Sequence, residues 1–341
     1  MERTSRTGAL VTALTCCALL VAACGADETP QETAVGEDVD NPGEAADEAA
    51  DPDPEDAVDA DDAEVTVEHV QGETTVETEP EVVVTFDVGT LDTLDAMGVP
   101  VAGVPEVANV PAHLEEYAGG ETSIVGSLFE PDPEEVNALD PDLIIVGGRS
   151  SEAFGELSEL APTVDLTVDN TDFLNSFGEQ LGVLGEIFDR EEWVEERLAV
   201  LDERVGEVSA LADDAGDGLI VMTSGGEVTA YGPGSRFGLI HKDLGVAPAV
   251  EDVEEATHGD AVSFEFILEA EPDHLFVLDR DAAIGETGEA AEAVLDNELV
   301  AQTPAWENGD VHYLDEVVWY LVPTGLRSVE TMVDEIDAAL R

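Results

Sequence analysis

From residue 81 onward the chain alternates between two kinds of apolar pattern. Short continuous runs, EVVVTFD (81–87), VAGVP (101–105), SIVG (123–126) and DLIIVGG (142–148), have the length of buried strands. Between them lie helical stretches. LDTLDAMG (91–98) closes on Gly98, and DPEEVNAL offers Asp132 as N-cap and Pro133 at the first helical position. Ahead of this alternation, VTVEHVQGETTVE alternates apolar and polar residues around Gln71-Gly72, as a hairpin does. Strands alternating with helices predict an open parallel α/β sheet.

Residues 172–211 hold the longest helical pattern. Phe173, Phe177, Leu181 and Leu184 make one apolar stripe, and Val194, Leu198, Leu201, Val205 and Val208 make a second, with a break near Phe188-Asp189. The alternation then restarts. GLIVMTSGG (218–226) reads as a strand, and SRFGLIHKDLG opens a helix. SFEFILEAEPDHLFVLDRDAAIG (263–285) reads as helix, turn, strand and loop. DVHYLD (310–315) is a strand, and TGLRSVETMVDEIDAAL (324–340) is a closing amphipathic helix. The whole predicts two α/β lobes, residues 65–171 and 213–341, joined by a helical segment over 172–212, with a ligand cleft between the lobes.

The N-terminus breaks this pattern. Arg3 and Arg6 precede an apolar run from Ala9 to Ala23, the layout of a signal peptide over residues 1–23 and short for a membrane span. The run ends in Val21-Ala22-Ala23-Cys24-Gly25, which resembles a bacterial lipobox, a signal in which cleavage precedes the cysteine and its sulfur receives the lipid. Cys16 and Cys17 would leave with the signal, so Cys24 would be the only thiol and no internal disulfide is expected. Residues 27–64 then carry 17 Asp and Glu and no Lys or Arg, with almost nothing large to bury. Residues 24–64 therefore read as an extended acidic tether.

Composition sharpens the functional question. Eleven Lys and Arg stand against 81 Asp and Glu, a formal net charge of −70, which excludes the basic stripes that nucleic-acid binding requires. The acids are spread along the whole chain, which suits solubility in strong salt; a functional field that gathers cations is the competing reading. Positive charge is scarce, so its placement is informative. Arg190, Arg197 and Arg204 recur every seven residues among glutamates and read as a solvated, acid-paired face. Arg149 follows DLIIVGG, Arg280 follows HLFVLD, and Arg236 follows the turn YGPGS after the strand at 218–226. Ligands of open α/β sheets bind at the carboxyl ends of strands, and guanidinium forks suit oxygen-rich anions. Local pairing or loop capping is the plain alternative for each arginine taken alone.

Other chemistry is thinly signalled. The histidines, at 69, 113, 241, 258, 274 and 312, show no HExxH spacing, and there is no CxxC, so a built-in zinc site is not expected. His258 lies in a polar loop, EATHGDAVSFEF, where either surface capping or a ligating role fits. Trp319 and Tyr320, in EVVWYLVPTG, read as core or cleft-wall aromatics. There is no GKS/T, GxGxxG or GxSxG motif and no cysteine nucleophile, so no enzyme is expected.

The stretches VVVTFDVGTLDTLDAMGV, LDPDLIIVGGR, TAYGPGSRFGLIHKDLGV, ATHGDAVSFEFILEAEPDHLFVLDR and EVVWYL resemble the iron-siderophore-binding lipoproteins of ABC importers. Within them, they resemble the branch that takes ferric catecholates of the petrobactin and enterobactin type. The resemblance covers roughly residues 65–341. It implies a class III periplasmic-binding-protein fold, with two Rossmann-like lobes joined by a long helix and moving only modestly. It further implies an arginine triad matching Arg149, Arg236 and Arg280, and a histidine and a tyrosine that complete the iron shell of a tetradentate catecholate. Those positions match His258 and Tyr320, with Trp319 as the alternative occupant of the latter. The implied partners are an ABC permease and its ATPase, a ferric siderophore as cargo in place of any intrinsic cofactor, and membrane lipid through Cys24, for a monomer held outside the membrane. Haem, a ferric hydroxamate or a cobalamin are the rival cargoes, and a surface sensor or adhesion protein is the rival class.

Overall fold

The computed structural model describes residues 63–118, 120, 122–251, 253 and 259–341. The signal peptide, Cys24, nearly all of the tether and His258 lie outside the described residues. A hairpin, β1 (Glu64–His69) and β2 (Gly72–Glu77), turns at Gly72, whose φ of 135° favours glycine. The first lobe then runs β3 (Val83–Thr85), α1 (Val88–Met97), β4 (Gly103–Glu106), β5 (Ser123–Ser127), α2 (Pro133–Leu139), β6 (Leu143–Val146), α3 (Phe154–Leu157) and β7 (Thr163–Asp165). Its strands pair in parallel in the order β5-β4-β3-β6-β7. Both faces are covered. Leu143 and Ile145 of β6 enter one core while Ile144 and Val146 enter another, which is why these strands read as unbroken apolar runs. Asp132 caps α2 as expected, accepting from the amides of Glu134 and Glu135.

The connecting segment is two helices, α4 (Phe173–Ile187) and α5 (Glu191–Ala215), broken where Asp189 takes a φ of 53°. The second lobe contains β8 (Asp217–Ser224), β9 (Glu227–Tyr231), α6 (Leu239–Lys242), β10 (Ala247–Pro248), β11 (Asp260–Val262), α7 (Phe264–Ala270) and β12 (His274–Asp279). It continues through α8 (Arg280–Ala283), α9 (Ala291–Leu295), α10 (Pro304–Asn308), β13 (Val311–Tyr313), α11 (Glu316–Leu321) and α12 (Leu326–Ala339). This sheet is mixed. Its order is β11-β9-β8-β12-β13, with β8, β12 and β13 parallel but β9 antiparallel to both of its neighbours. The stretch read as one strand over 218–226 is in fact the first arm of a hairpin. Gly225 and Gly226, at φ of 58° and 81°, turn the chain back as β9.

The lobes share material at their seam. Phe173, Phe177 and Leu181 of α4 belong to the core of the second lobe, whereas Leu184 and Ile187, one turn later, belong to that of the first. Helix α11 straddles the same seam. Val318 and Trp319 enter the second lobe's core, and Val317 and Leu321 pack on the first. Helix α12 returns to α1: the Leu326 amide donates to Thr93 Oγ1 at 3.1 Å, the Ser328 amide donates to Asp92 at 3.2 Å, and Arg327 pairs with Asp95.

Candidate ligand-binding cleft

Three different local structures deliver the three arginines. Strand β6 ends at Val146, and the chain turns through Gly147-Gly148, where Gly148 has a φ of 51° and its amide donates to Thr167 Oγ1 at 2.9 Å. Arg149 is the next residue. Strand β12 ends at Asp279, whose carboxylate caps α8 by accepting from the Ala282 amide at 3.0 Å, and Arg280 opens that helix. Arg236 arrives by another route. Because β9 intervenes, it follows an antiparallel strand and the YGPGS turn, not the carboxyl end of a parallel strand.

The three side chains meet at Tyr320. Nη2 of Arg149 and Nη2 of Arg236 both donate to the Tyr320 carbonyl, at 2.7 and 2.8 Å. That carbonyl lies in the last turn of α11, where helix carbonyls lack amide partners and carry partial negative charge, so it is a natural acceptor for two cations. Nε of Arg280 donates to the Tyr320 phenol oxygen at 3.0 Å, and its Nη1 donates to Ser224 Oγ at 3.2 Å. The guanidinium carbons stand 5.6, 4.6 and 5.9 Å from the Tyr320 ring centroid, for Arg149, Arg236 and Arg280 in turn. One residue therefore touches all three cations through its ring, its hydroxyl and its backbone.

The electrostatics of this group differ from those of the other arginines. Arg197 and Arg204 pair with Glu330 and Asp334 of α12, Arg190 lies 3.9 Å from Glu79, and Arg341 pairs with Asp337. The solvated-face reading of the first three is thus met by acids of neighbouring elements. Among the described residues, no ion pair engages Arg149 or Arg236. Arg280 has only a loose one, 3.9 Å from Asp281, whose carboxylate is also held by the Gly225 amide at 2.7 Å. Burial, and then the charge of Arg149, pull Arg236 down to about 10, which leaves it charged at neutral pH. The hydrogen bond to Tyr320 pushes Arg280 up.

A cavity of about 320 Å³ opens beside this group, lined by Arg149, Arg236, Asp87, Gly148, Thr167 and Thr324 among others; burial pushes the Asp87 carboxyl up, toward its neutral form. A larger groove of about 1040 Å³ lies elsewhere, against β1 and α4. Its lining includes Glu68, Asp169, Glu179 and Glu186 and no arginine, so it repels the anions that the smaller cavity attracts.

One expectation is corrected. Trp319 does not face the cleft. It is 1% exposed, sits in the second lobe's core, and donates from Nε1 to Glu335 at 2.7 Å. Successive helical residues point about 100° apart, so the turn that aims Tyr320 at the arginines buries its neighbour. Sequence reasoning also missed Ser224 and Asp281, which position Arg280. Their signal was the Gly225-Gly226 pair, which brings the end of β8 beside the start of α8.

The profile of the periplasmic binding protein family matches residues 83–318. The petrobactin-binding protein YclQ of Bacillus subtilis is 42% identical over 282 residues, 81% of this chain and 88% of that one. Its crystal structure superposes with a TM-score of 0.79, covering 82% of this chain and 99% of that one. The ferric-anguibactin-binding protein FatB of Vibrio anguillarum is 34% identical over 281 residues, 80% of this chain and 86% of its own. The periplasmic catecholate-siderophore binding protein VctP of Vibrio cholerae, 35% identical, superposes with a TM-score of 0.78 over 81% of this chain and 100% of its own.

Proposed function

The chain belongs to the periplasmic binding protein family, and from that premise we propose that it captures an anionic ferric catecholate siderophore and hands it to an ABC permease driven by its ATPase. One observation carries the reading. In a chain of net charge −70, two guanidiniums with no ion pair among the described residues converge with a third on one tyrosine beside a cavity. A ferric tris-catecholate carries a charge of about −3 and presents many oxygen acceptors, the partner such a cluster lacks. The names of the relatives, petrobactin-binding, ferric-anguibactin-binding and catecholate-siderophore binding, point to the same cargo class.

In this reading Arg149, Arg236 and Arg280 hold the chelate, and Tyr320, with His258 from a segment outside the described residues, takes iron positions that a tetradentate catecholate leaves open. Residues 65–171 and 213–341 form the two lobes, with 172–212 as connector. No helix among the described residues is long and apolar enough to cross a membrane; the link to the membrane is lipid on Cys24, at the end of an acidic tether. The protein works as a binding protein with no intrinsic cofactor, as a monomer. Haem, a ferric hydroxamate and a cobalamin are the rival cargoes; the titration below separates the hydroxamate, and a Soret shift on addition of haem would identify that cargo.

The test is a titration with a ferric catecholate and a ferric hydroxamate, followed by intrinsic fluorescence. Saturable quenching by the catecholate, weakened at least about tenfold in Arg236→Ala, is the expected result; a tenfold loss is about 1.4 kcal/mol. Binding of the hydroxamate alone would replace the cargo class. An unchanged affinity in Arg236→Ala would remove that residue from the site.

A further inference from the structure

The amino-terminal edge of the second lobe's sheet brings together residues that are far apart in sequence. His274 is the first residue of β12, Asp310 immediately precedes β13, and His312 is the middle residue of β13. Strands β12 and β13 are parallel neighbours, with Phe276 opposite His312. Nδ1 of His274 lies 3.0 Å from Nε2 of His312. One ligand atom from each of His274, Asp310 and His312 falls within 4.8 Å of the others.

The tautomer of His274 is set by its other nitrogen. Nε2 of His274 lies 3.0 Å from the Ala215 carbonyl, which can only accept, so Nε2 carries the proton and Nδ1 presents its lone pair to His312. Metal-binding histidines are commonly held in this way, with the distal N–H donated to a backbone carbonyl. His274 is buried, which holds the ring in place, whereas His312 and Asp310 are half-buried and free to adjust. No hydrogen bond engages the Asp310 carboxylate among the described residues, so its oxygens are open to a cation.

We propose that His274, Asp310 and His312 form a binding site for a divalent transition-metal ion of the zinc class, separate from the cleft. Two imidazole nitrogens and one carboxylate, with water completing the set, suit zinc and not the all-oxygen sites of calcium or magnesium. A tetrahedral ion with bonds of about 2.0–2.1 Å separates its nitrogens by about 3.3 Å. The imidazole pair therefore opens by a few tenths of an ångström, and the proton on His312 Nε2 passes through water to its Nδ1, so that Nε2 presents a lone pair to the ion. The Asp310 carboxylate swings inward to meet it. The acidic surface raises the local concentration of such a cation. The ion ties β12 to β13, while His274 remains bonded to the end of α5 through Ala215.

The experiment titrates the whole protein with zinc in concentrated KCl, where the diffuse pull of surface carboxylates is screened. Cobalt(II) serves as the spectroscopic probe. One zinc per chain is expected, with affinity reduced at least tenfold in both His312→Gln and Asp310→Asn. Both variants should keep the circular dichroism and the ferric catecholate affinity of the unaltered protein. Cobalt bound to the unaltered protein should show the intense visible bands of four-coordinate nitrogen and oxygen ligation, and zinc should abolish them; this arm needs no variant to fold. Equal zinc uptake in the protein and both variants would mean diffuse carboxylate binding and overturn the proposal. So would the faint spectrum of the hydrated cobalt ion, which would leave the two imidazoles sharing a proton and nothing more.

Discussion

Strand β12 has an arginine just past its carboxyl end and a histidine at its amino end, and the two ends handle charge in opposite ways. Six residues, about 20 Å, separate them. At the carboxyl end, positive side chains meet around Tyr320 with few acids beside them, such as Asp87 near Arg149 and the loosely placed Asp281 near Arg280, although acids outnumber bases heavily in the chain. At the amino end, two imidazoles and a carboxylate meet, and among the described residues no Lys or Arg pairs with that carboxylate. One strand thus separates a site fitted for an anion from a site fitted for a cation. Net charge describes the solvent-facing shell of this protein and says nothing about either end.

The strongest way to break the contrast is to remove charge from the first end alone. Arg149→Ala combined with Arg236→Ala should weaken the ferric catecholate by more than the roughly tenfold of either alone, because a single guanidinium is then left for the whole anion; the departure from about a hundredfold measures the coupling of the two. A fluorescence titration measures it, and zinc uptake should not change. At the other end, zinc at about a hundred times its dissociation constant should stabilise the fold by about 2.7 kcal/mol. Scanning calorimetry should record a rise of several degrees, lost in His312→Gln. A smaller effect is expected from Tyr320→Phe on a hexadentate chelate, which leaves no iron position for the phenol; the variant keeps the ring and the carbonyl but removes the oxygen that accepts from Arg280 Nε. About 1 kcal/mol, or roughly fivefold in chelate affinity, is the expected loss.

Acidity separates the ends most gently. Arg236, lowered to about 10 by burial and by Arg149, stays protonated up to about pH 9, so chelate affinity should be flat between about pH 7 and 9. Above that range Arg236 loses its proton and affinity should fall, because the site then lacks one of its positive charges. Zinc responds at the opposite side of the scale. Protons compete for imidazole nitrogen, so its affinity should decline on acidification while the arginine end is unaffected.

The same contrast explains what could be read from the residues alone. The first lobe was legible because its sheet is parallel and its central strands β3 and β6 are buried on both faces, so each run of valine and isoleucine is one strand. The second lobe was read as if it obeyed the same rule. Its glycine pair at 225–226 instead folds GLIVMTS and EVTAY against each other, and a β11 edge strand joins them. Arginines were legible because they are rare. That three of them meet on Tyr320 follows from the carbonyl at the end of α11, a backbone feature that no residue type announces. Trp319 was misplaced because two adjacent aromatics look alike in sequence, and only the helix phase tells the core-facing one from the other. His274 and His312 were invisible as a pair. They are 38 residues apart, and their meeting depends on the register of β12 against β13.

The seam between the lobes constrains the order in which the chain can fold. The first lobe draws Leu184 and Ile187 from α4 and Val322 from beyond α11, and its helix α1 is finished by contacts to residues 326–328. A chain emerging from its N-terminus would lack those groups until almost the last residue had been made. Residues 65–171 expressed alone would expose the buried face of α1 and leave Asp92, which is fully buried here, without the Ser328 amide. The first lobe is therefore completed by residues 322–328, and a fragment that ends before them lacks part of its core.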